Sequence, residues 1–171
     1  MNDNKAEDLF LEADQLTDND KYIEAKEVLL DLLKEYPDYG RAHSLLGWMY
    51  QDKFSNNDKA KFHYKLSMKY APTYSSGYNN YAYLLVETNE YDEMLSFGEK
   101  HINNKAVDKA TIYNKMGQAS ELKGELIKAF EYYKLSIKDT LNIQSLESLY
   151  ASINRVKSKM NILERIKILS K

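Results

Sequence analysis

Three histidines are the first residues that could do chemistry in this 171-residue chain: His43, His63 and His101. Imidazoles act as metal ligands or proton carriers when a second ligand or an activated nucleophile sits at a fixed spacing. None of the three belongs to such a spaced group, so each reads as a packing or surface residue. The carboxylates, 26 against 24 basic residues, follow turns and the polar sides of periodic segments, and no pair among them is placed for acid–base work. With no cysteine, thiolate metal sites, cysteine nucleophiles and disulfides are excluded. The six glycines are scattered rather than gathered before a helix, so no phosphate cradle is expected. The sequence therefore predicts no enzyme, no cofactor and no metal.

Other function classes narrow on charge and hydropathy. A formal charge of −2 supplies no basic field, and nucleic acid is not an expected partner. No apolar run approaches the roughly 18 to 20 residues that cross a bilayer, so no membrane insertion is expected. The polar start Met1-Asn-Asp-Asn-Lys-Ala-Glu-Asp lacks the form of a secretory signal, which makes a cytoplasmic location the default expectation.

The elements that must position any site are helical. Leu9 to Leu16 and Tyr22 to Leu33 place apolar residues three and four apart, separated by the turn-forming run Thr17-Asp-Asn-Asp-Lys21 and closed by Pro37. The pattern then recurs. His43, Leu46, Gly47 and Tyr50 mark a first helix, Phe54-Ser-Asn-Asn-Asp58 a turn, and Ala60, Tyr64 and Pro72 a second helix and its stop. Further copies begin near Ser75, with Tyr78, Tyr81, Ala82 and Leu85, and at Ala110, with Tyr113, Met116 and Gly117. Small residues Ala13, Gly47, Ala82 and Gly117 recur every 34 or 35 positions, where two helices must cross closely. Turn formers Asp20, Ser55, Asn89 and Gly124 each precede Ala25, Ala60, Met94 and Ala129 by five residues.

His43-x-x-Leu46-Gly47-x-x-Tyr50 followed by Ala60-x-x-x-Tyr64 and Pro72 resembles the tetratricopeptide repeat family, departing at the first position and by one inserted turn residue. The resemblance covers about residues 6 to 141. It implies an all-α, right-handed superhelical solenoid of about four helix-turn-helix units: repeats at about 6–39, 40–74, 75–109 and 110–143 within one domain over 1–171. Residues 144–171, with Leu146, Leu149, Ile153 and Val156 and then Ile162, Leu163, Ile166 and Leu169 at helical spacing, read as a cap or a degenerate fifth repeat, the cap being the simpler account. The third copy departs most, with Met94, Gly98 and His101 in its second helix and no closing proline. Gly98 either admits a large neighbour such as Tyr113 or acts as a hinge.

Most of the 15 tyrosines, including Tyr50, Tyr64, Tyr78, Tyr81, Tyr113 and Tyr133, fall in repeat positions and read as core. The resemblance puts the residue after each small crossing residue, and the one a turn earlier, on a concave groove. Here these are Phe10, Asp14, Ser44, Trp48, Asn79, Tyr83, Asn114 and Gln118. Aromatic surface beside amides suits an extended peptide, and the family's lysine and arginine grip on a terminal carboxylate has no counterpart at Phe10, Asp14, Ser44 and Trp48. Trp48 serves either this groove or the packing of the next unit.

The expected function is a non-catalytic scaffold or adaptor that binds another protein or an extended peptide in its groove. A second reading is a self-associating structural or assembly protein. Residues 1–40 carry four lysines against twelve acids, and residues 141–171 six basic residues against two acids; these read first as solvated helix faces, and otherwise as ends that steer a charged partner or associate weakly head to tail. An RNA-binding helical repeat is the third reading, disfavoured because the groove positions hold no basic residue.

Overall fold

A computed structural model of the chain describes residues 2–169, with side chains from residue 4 onward. The described residues form ten helices and no strand: α1 (Asn2–Asp18), α2 (Tyr22–Glu35), α3 (Gly40–Asp52), α4 (Asn57–Tyr70), α5 (Ser75–Glu87), α6 (Tyr91–His101), α7 (Lys109–Leu122), α8 (Leu126–Asp139), α9 (Ile143–Lys159) and α10 (Ile162–Leu169). They divide into two compact units after Leu84, within α5.

Each turn inside a helix pair is set by one residue in the left-handed region. Asp20 (φ 59°), Ser55 (φ 48°), Asn89 (φ 61°) and Gly124 (φ 79°) adopt it, the four positions that the repeat register singles out. A left-handed residue after a helix lets the next N–H return to a carbonyl in the last turn. Lys21, Glu90 and Glu125 donate to Leu16, Leu85 and Ser120, each five residues back. In the second copy Asn56 reaches six residues back to Tyr50, which accommodates the inserted turn residue. Asp20 and Asn89 also accept from the hydroxyls of Tyr22 and Tyr91, holding the start of the following helix.

In the first unit α3 and α4 pair through Gly47. A Cβ there would lie 2.7 Å from the ring of Tyr64, which is fully buried. The glycine is what lets the ring lie flat on the α3 backbone, and the Tyr64 hydroxyl then reaches Gln51 Oε1 at 2.8 Å. Gly40 meets the end of α4 in the same way, its absent Cβ 2.5 Å from Ala71 Cβ. Ala13, Ala25, Leu29 and Leu32 close the core of α1 and α2. Tyr50, Tyr78 and Tyr81 are buried, as their repeat positions require.

The second unit repeats the device. A Cβ on Gly117 would stand 2.7 Å from the Tyr133 ring, joining α7 to α8. Gly98 is a packing glycine, but its neighbour is Met116, whose Cγ would be 2.7 Å from an added Cβ. Tyr113 instead is half-buried and stacks on Tyr132 with centroids 6.4 Å apart.

Residues 144–171 behave in two ways over their described part. Helix α9 lays Leu149, Ile153, Val156 and Met160 against Ala129, Phe130 and Tyr133 of α8, covering apolar surface as a cap does. Helix α10 packs Ile168 against that core, while Ile162, Leu163, Ile166 and Leu169 are exposed.

Gly47→Leu and Gly117→Leu should each drive a side chain into a buried tyrosine ring and cost on the order of 1 to 3 kcal/mol, read as a lower urea midpoint. Ser55→Gly should act oppositely. It relieves a left-handed strain of about 1 to 2 kcal/mol, partly offset by the greater freedom of glycine in the unfolded chain, and the midpoint should rise.

Candidate peptide-binding surface

In the first unit, α1 and α3 are clamped side by side. Arg41 Nη1 donates to both Glu7 carboxylate oxygens at 2.9 Å, and the Tyr39 hydroxyl donates to Glu7 Oε2 at 2.5 Å. The Tyr39 bond and the Arg41 bond hold the Glu7 carboxyl below its usual range. Burial and the bond to Glu7 push Tyr39 up to about 12.

This clamp corrects the expectation for Phe10. The Arg41 guanidinium lies 4.2 Å from its ring centroid and Tyr39 packs at 5.7 Å, so Phe10 is 4% exposed and lies under the surface. Ser44, at 2% exposure, is likewise buried. The resemblance implies groove positions for both; Arg41 and Tyr39 lie over Phe10.

The remaining positions of this unit reach the outside. Asp14 is exposed. Trp48 is half-buried, edge-on to Tyr22 at 6.2 Å, with Lys53 Nζ 5.2 Å from its ring and 4.6 Å from that of Tyr22. It therefore packs and presents surface at once. On α5, Tyr83 is 46% exposed. One turn earlier, Asn79 Oδ1 is buried with no hydrogen-bond partner. An orphaned buried acceptor costs about 1 to 3 kcal/mol unless something supplies a donor.

In the second unit, Asn114 and Gln118 form an oriented chain on α7. Lys115 Nζ donates to Gln118 Oε1 at 3.1 Å, and Gln118 Nε2 donates to Asn114 Oδ1 at 3.4 Å. Burial lowers Lys115 to about 8, against the opposing charge of Glu87. With its oxygen engaged, the Asn114 amide has its N–H groups to offer. It lines a cavity of about 380 Å³ with Asn142, Gln144, Ser145 and Ser148, all hydrogen-bonding side chains. Gln118 lines a neighbouring cavity of about 290 Å³ with Glu121, Leu122, Tyr133, Arg155 and Lys159.

Glu121 anchors α9 to α7 and α8. Burial would raise its pKa, but donors from Arg155 (2.8 Å, twice), Lys159 (2.7 Å) and Tyr133 (2.9 Å) outweigh that and bring it to about 2. A carboxylate so fully bonded has no proton to give, so it is structural rather than catalytic. Sequence reasoning missed this group and the Glu7 clamp. The only signal was opposite charge at a separation of 34, as in Glu7 and Arg41, Glu121 and Arg155.

Sequence reasoning also treated His43 and His63 as separate, and the fold brings them together. Their Nδ1 atoms are 2.9 Å apart, and His43 Nε2 is 3.0 Å from the Pro37 carbonyl. A carbonyl only accepts, so His43 carries its proton on Nε2 and its bare Nδ1 accepts from His63 Nδ1–H. Tyr50 stacks on His63 at 5.5 Å and Tyr70 on His43 at 6.0 Å. Burial, with the charges of His43 and Lys59, lowers His63 to about 4, and burial lowers His43. His101 packs on Phe97 at 4.8 Å. Among the described residues no group of three or more potential ligands could hold a metal ion.

Helix pairs that turn through a left-handed residue every 34 or 35 positions, two of them closed by a glycine on a tyrosine ring, define one repeat architecture, and solved structures share it. A tetratricopeptide protein, YrrB, described by an unusual peptide-binding site, superposes with a TM-score of 0.66 at 12% identity over 88% of this chain and 82% of its own. Its fold is also this chain's fold: the tetratricopeptide repeat. MamA matches this repeat fold with a TM-score of 0.70 at 18% identity, over 91% of this chain and 88% of that one. The first tetratricopeptide domain of human RPAP3 gives 0.56 at 16% identity, over 72% and 99%. No protein-family model and no curated protein matches the sequence. Among the described residues no helix is long and apolar enough to cross a membrane.

The histidine pair generates a pH dependence with a defined sign. Both pKa values are lowered in the fold, so the unfolded chain binds protons more readily. Stability should be full above about pH 6.5 and fall as the pH drops toward about 4, with a slope near 1.4 kcal/mol per pH unit for each proton. His63→Gln should flatten the slope in that window, read from urea midpoints at pH 7 and pH 5. The Glu121 contribution should be lost only below about pH 4.5, as the pH falls toward about 2.

Proposed function

We propose that the chain, acting as one repeat domain over 1–171, is a non-catalytic protein-interaction scaffold whose first helices bind an extended peptide of a partner protein. The observation that carries this reading is the pairing on α5 of the orphaned Asn79 Oδ1 with the exposed ring of Tyr83 one turn on. An extended peptide offers an apolar side chain to the ring, and its backbone N–H would draw the unpartnered Asn79 amide oxygen outward from the half-buried side chain. Trp48 adds a half-buried aromatic edge from α3, and Asp14 a carboxylate from α1. In the second unit, the N–H groups of Asn114 and Gln118 suit peptide carbonyls, beside the hydroxyls and amides at the start of α9. Phe10 and Ser44 support these contacts from beneath rather than making them. The likeness to YrrB supports peptide binding as a use of this fold.

Tyr83→Ala should leave the melting temperature nearly unchanged, and Asn79→Ala, which removes an unpartnered buried acceptor, should leave it unchanged or raise it. Each should weaken partner capture from the native cell extract, by about 2 kcal/mol or more if Tyr83 is a central anchor. Trp48→Ala should weaken capture too, with some loss of stability because of its contact with Tyr22. Variants that recover every partner as the parent does would count against this surface.

A further inference from the structure

Helix α10 is the least satisfied element of the fold. Ile162, Leu163, Ile166 and Leu169 are 77%, 70%, 56% and 85% exposed on an eight-residue helix. A cavity of about 370 Å³ opens between α9 and α10, with Ile168 and Leu169 as its apolar lining and Lys157, Ser158 and Arg165 as its polar one. Arg165 uses its Nε–H on the Met160 carbonyl at 3.2 Å, and Lys157 leans over the Phe130 ring at 5.3 Å. An occupant must bring apolar side chains flanked by carboxylates.

The same chain carries such a surface on α2. Ile23 (64% exposed), Glu27 and Leu30 (37% exposed) follow one another at positions i, i+4 and i+7, with Glu24 and Asp31 alongside. Glu24 and Asp31 have only exposed partners one turn away, Lys21 and Lys34, whose hold in water is weak. The surrounding residues 1–40 carry −8, from four lysines and twelve acids.

We propose that the α9–α10 end of one copy docks onto α2 of a second copy. Ile23 or Leu30 enters the cavity, Glu27 and Glu24 meet Lys157 and Arg165, and the exposed row of α10 covers the apolar line of α2. The contact is heterologous, since each copy presents both an α2 face and an α10 end. It uses residues apart from the peptide surface and stands independently of it.

The test is sedimentation or light scattering of the full chain as its concentration is raised. The parent should rise above the 20.0 kDa of a single chain, and fall back toward it in about 1 M salt, where charges are screened beyond roughly 3 Å. Lys157→Glu with Arg165→Glu should keep the chain monomeric, and so should Glu24→Lys with Glu27→Lys. A mixture of these two variants should associate again, because the reversed α10 end of one meets the reversed α2 face of the other. Leu163→Asp should abolish association with an unchanged circular dichroism spectrum, and Tyr83→Ala should leave it intact. A parent that stays at 20.0 kDa throughout, or a mixture that fails to associate, would overturn the proposal. So would a parent that binds phosphatidylserine vesicles through α10 while remaining monomeric.

Discussion

The fit of a tyrosine ring against a glycine backbone governs the rest of this structure. At Gly47 and Gly117 the absent Cβ leaves room for the rings of Tyr64 and Tyr133, each fully buried. Large apolar area is thereby buried between two helices whose axes could not otherwise approach. Each hydroxyl is carried to a polar partner on the first helix of its pair, Gln51 for Tyr64 and Glu121 for Tyr133. One residue thus supplies packing, register and a hydrogen bond. Helix α10 has no such fit and keeps Ile162, Leu163, Ile166 and Leu169 in solvent.

Polar interactions then fix what packing has brought near. In the first unit Arg41 reaches Glu7 and covers Phe10, locking α1 to α3. In the second, Arg155 and Lys159 of α9 converge with Tyr133 on Glu121 of α7. Of these charged groups only the Glu121 carboxylate is buried, at 5% exposure, and such partly exposed pairs define which helix faces meet more than they add net stability. The His43–His63 pair adds a condition: its hydrogen bond needs a neutral His43, because a protonated His43 would present a second Nδ1–H where the one acceptor is needed.

These constraints also determine what is left for binding. The turns and crossing positions consume Tyr22, Tyr91, Tyr64 and Tyr133, and the clamps consume Phe10 and several carboxylates. Surface chemistry remains at the edges of the first helices, where Tyr83, Trp48 and Asn114 keep some access to solvent, and on α2 and α10, whose outer faces have no helix against them. The fold itself is shared by proteins with distinct roles, so function has to be argued from these remaining side chains.

Repeat spacing alone determined the helix pairs, the crossing glycines, the four left-handed turn residues and the burial of Tyr50, Tyr64, Tyr78, Tyr81 and Tyr133. Each follows from contacts between residues a short distance apart in sequence, whose periodicity is set by helix geometry. Even the inserted turn residue near Ser55 is legible, and it reappears as a return bond one residue longer than the others. Tertiary structure decided what lies over each exposed-looking position. Phe10 and Ser44, groove positions by the family resemblance, are buried, Gly98 meets Met116 rather than Tyr113, and His43 meets His63. The reason is physical: periodicity fixes the direction in which a side chain leaves its helix. The length and rotamer of a side chain arriving from another helix, such as Arg41 over Phe10, determine whether water can reach it.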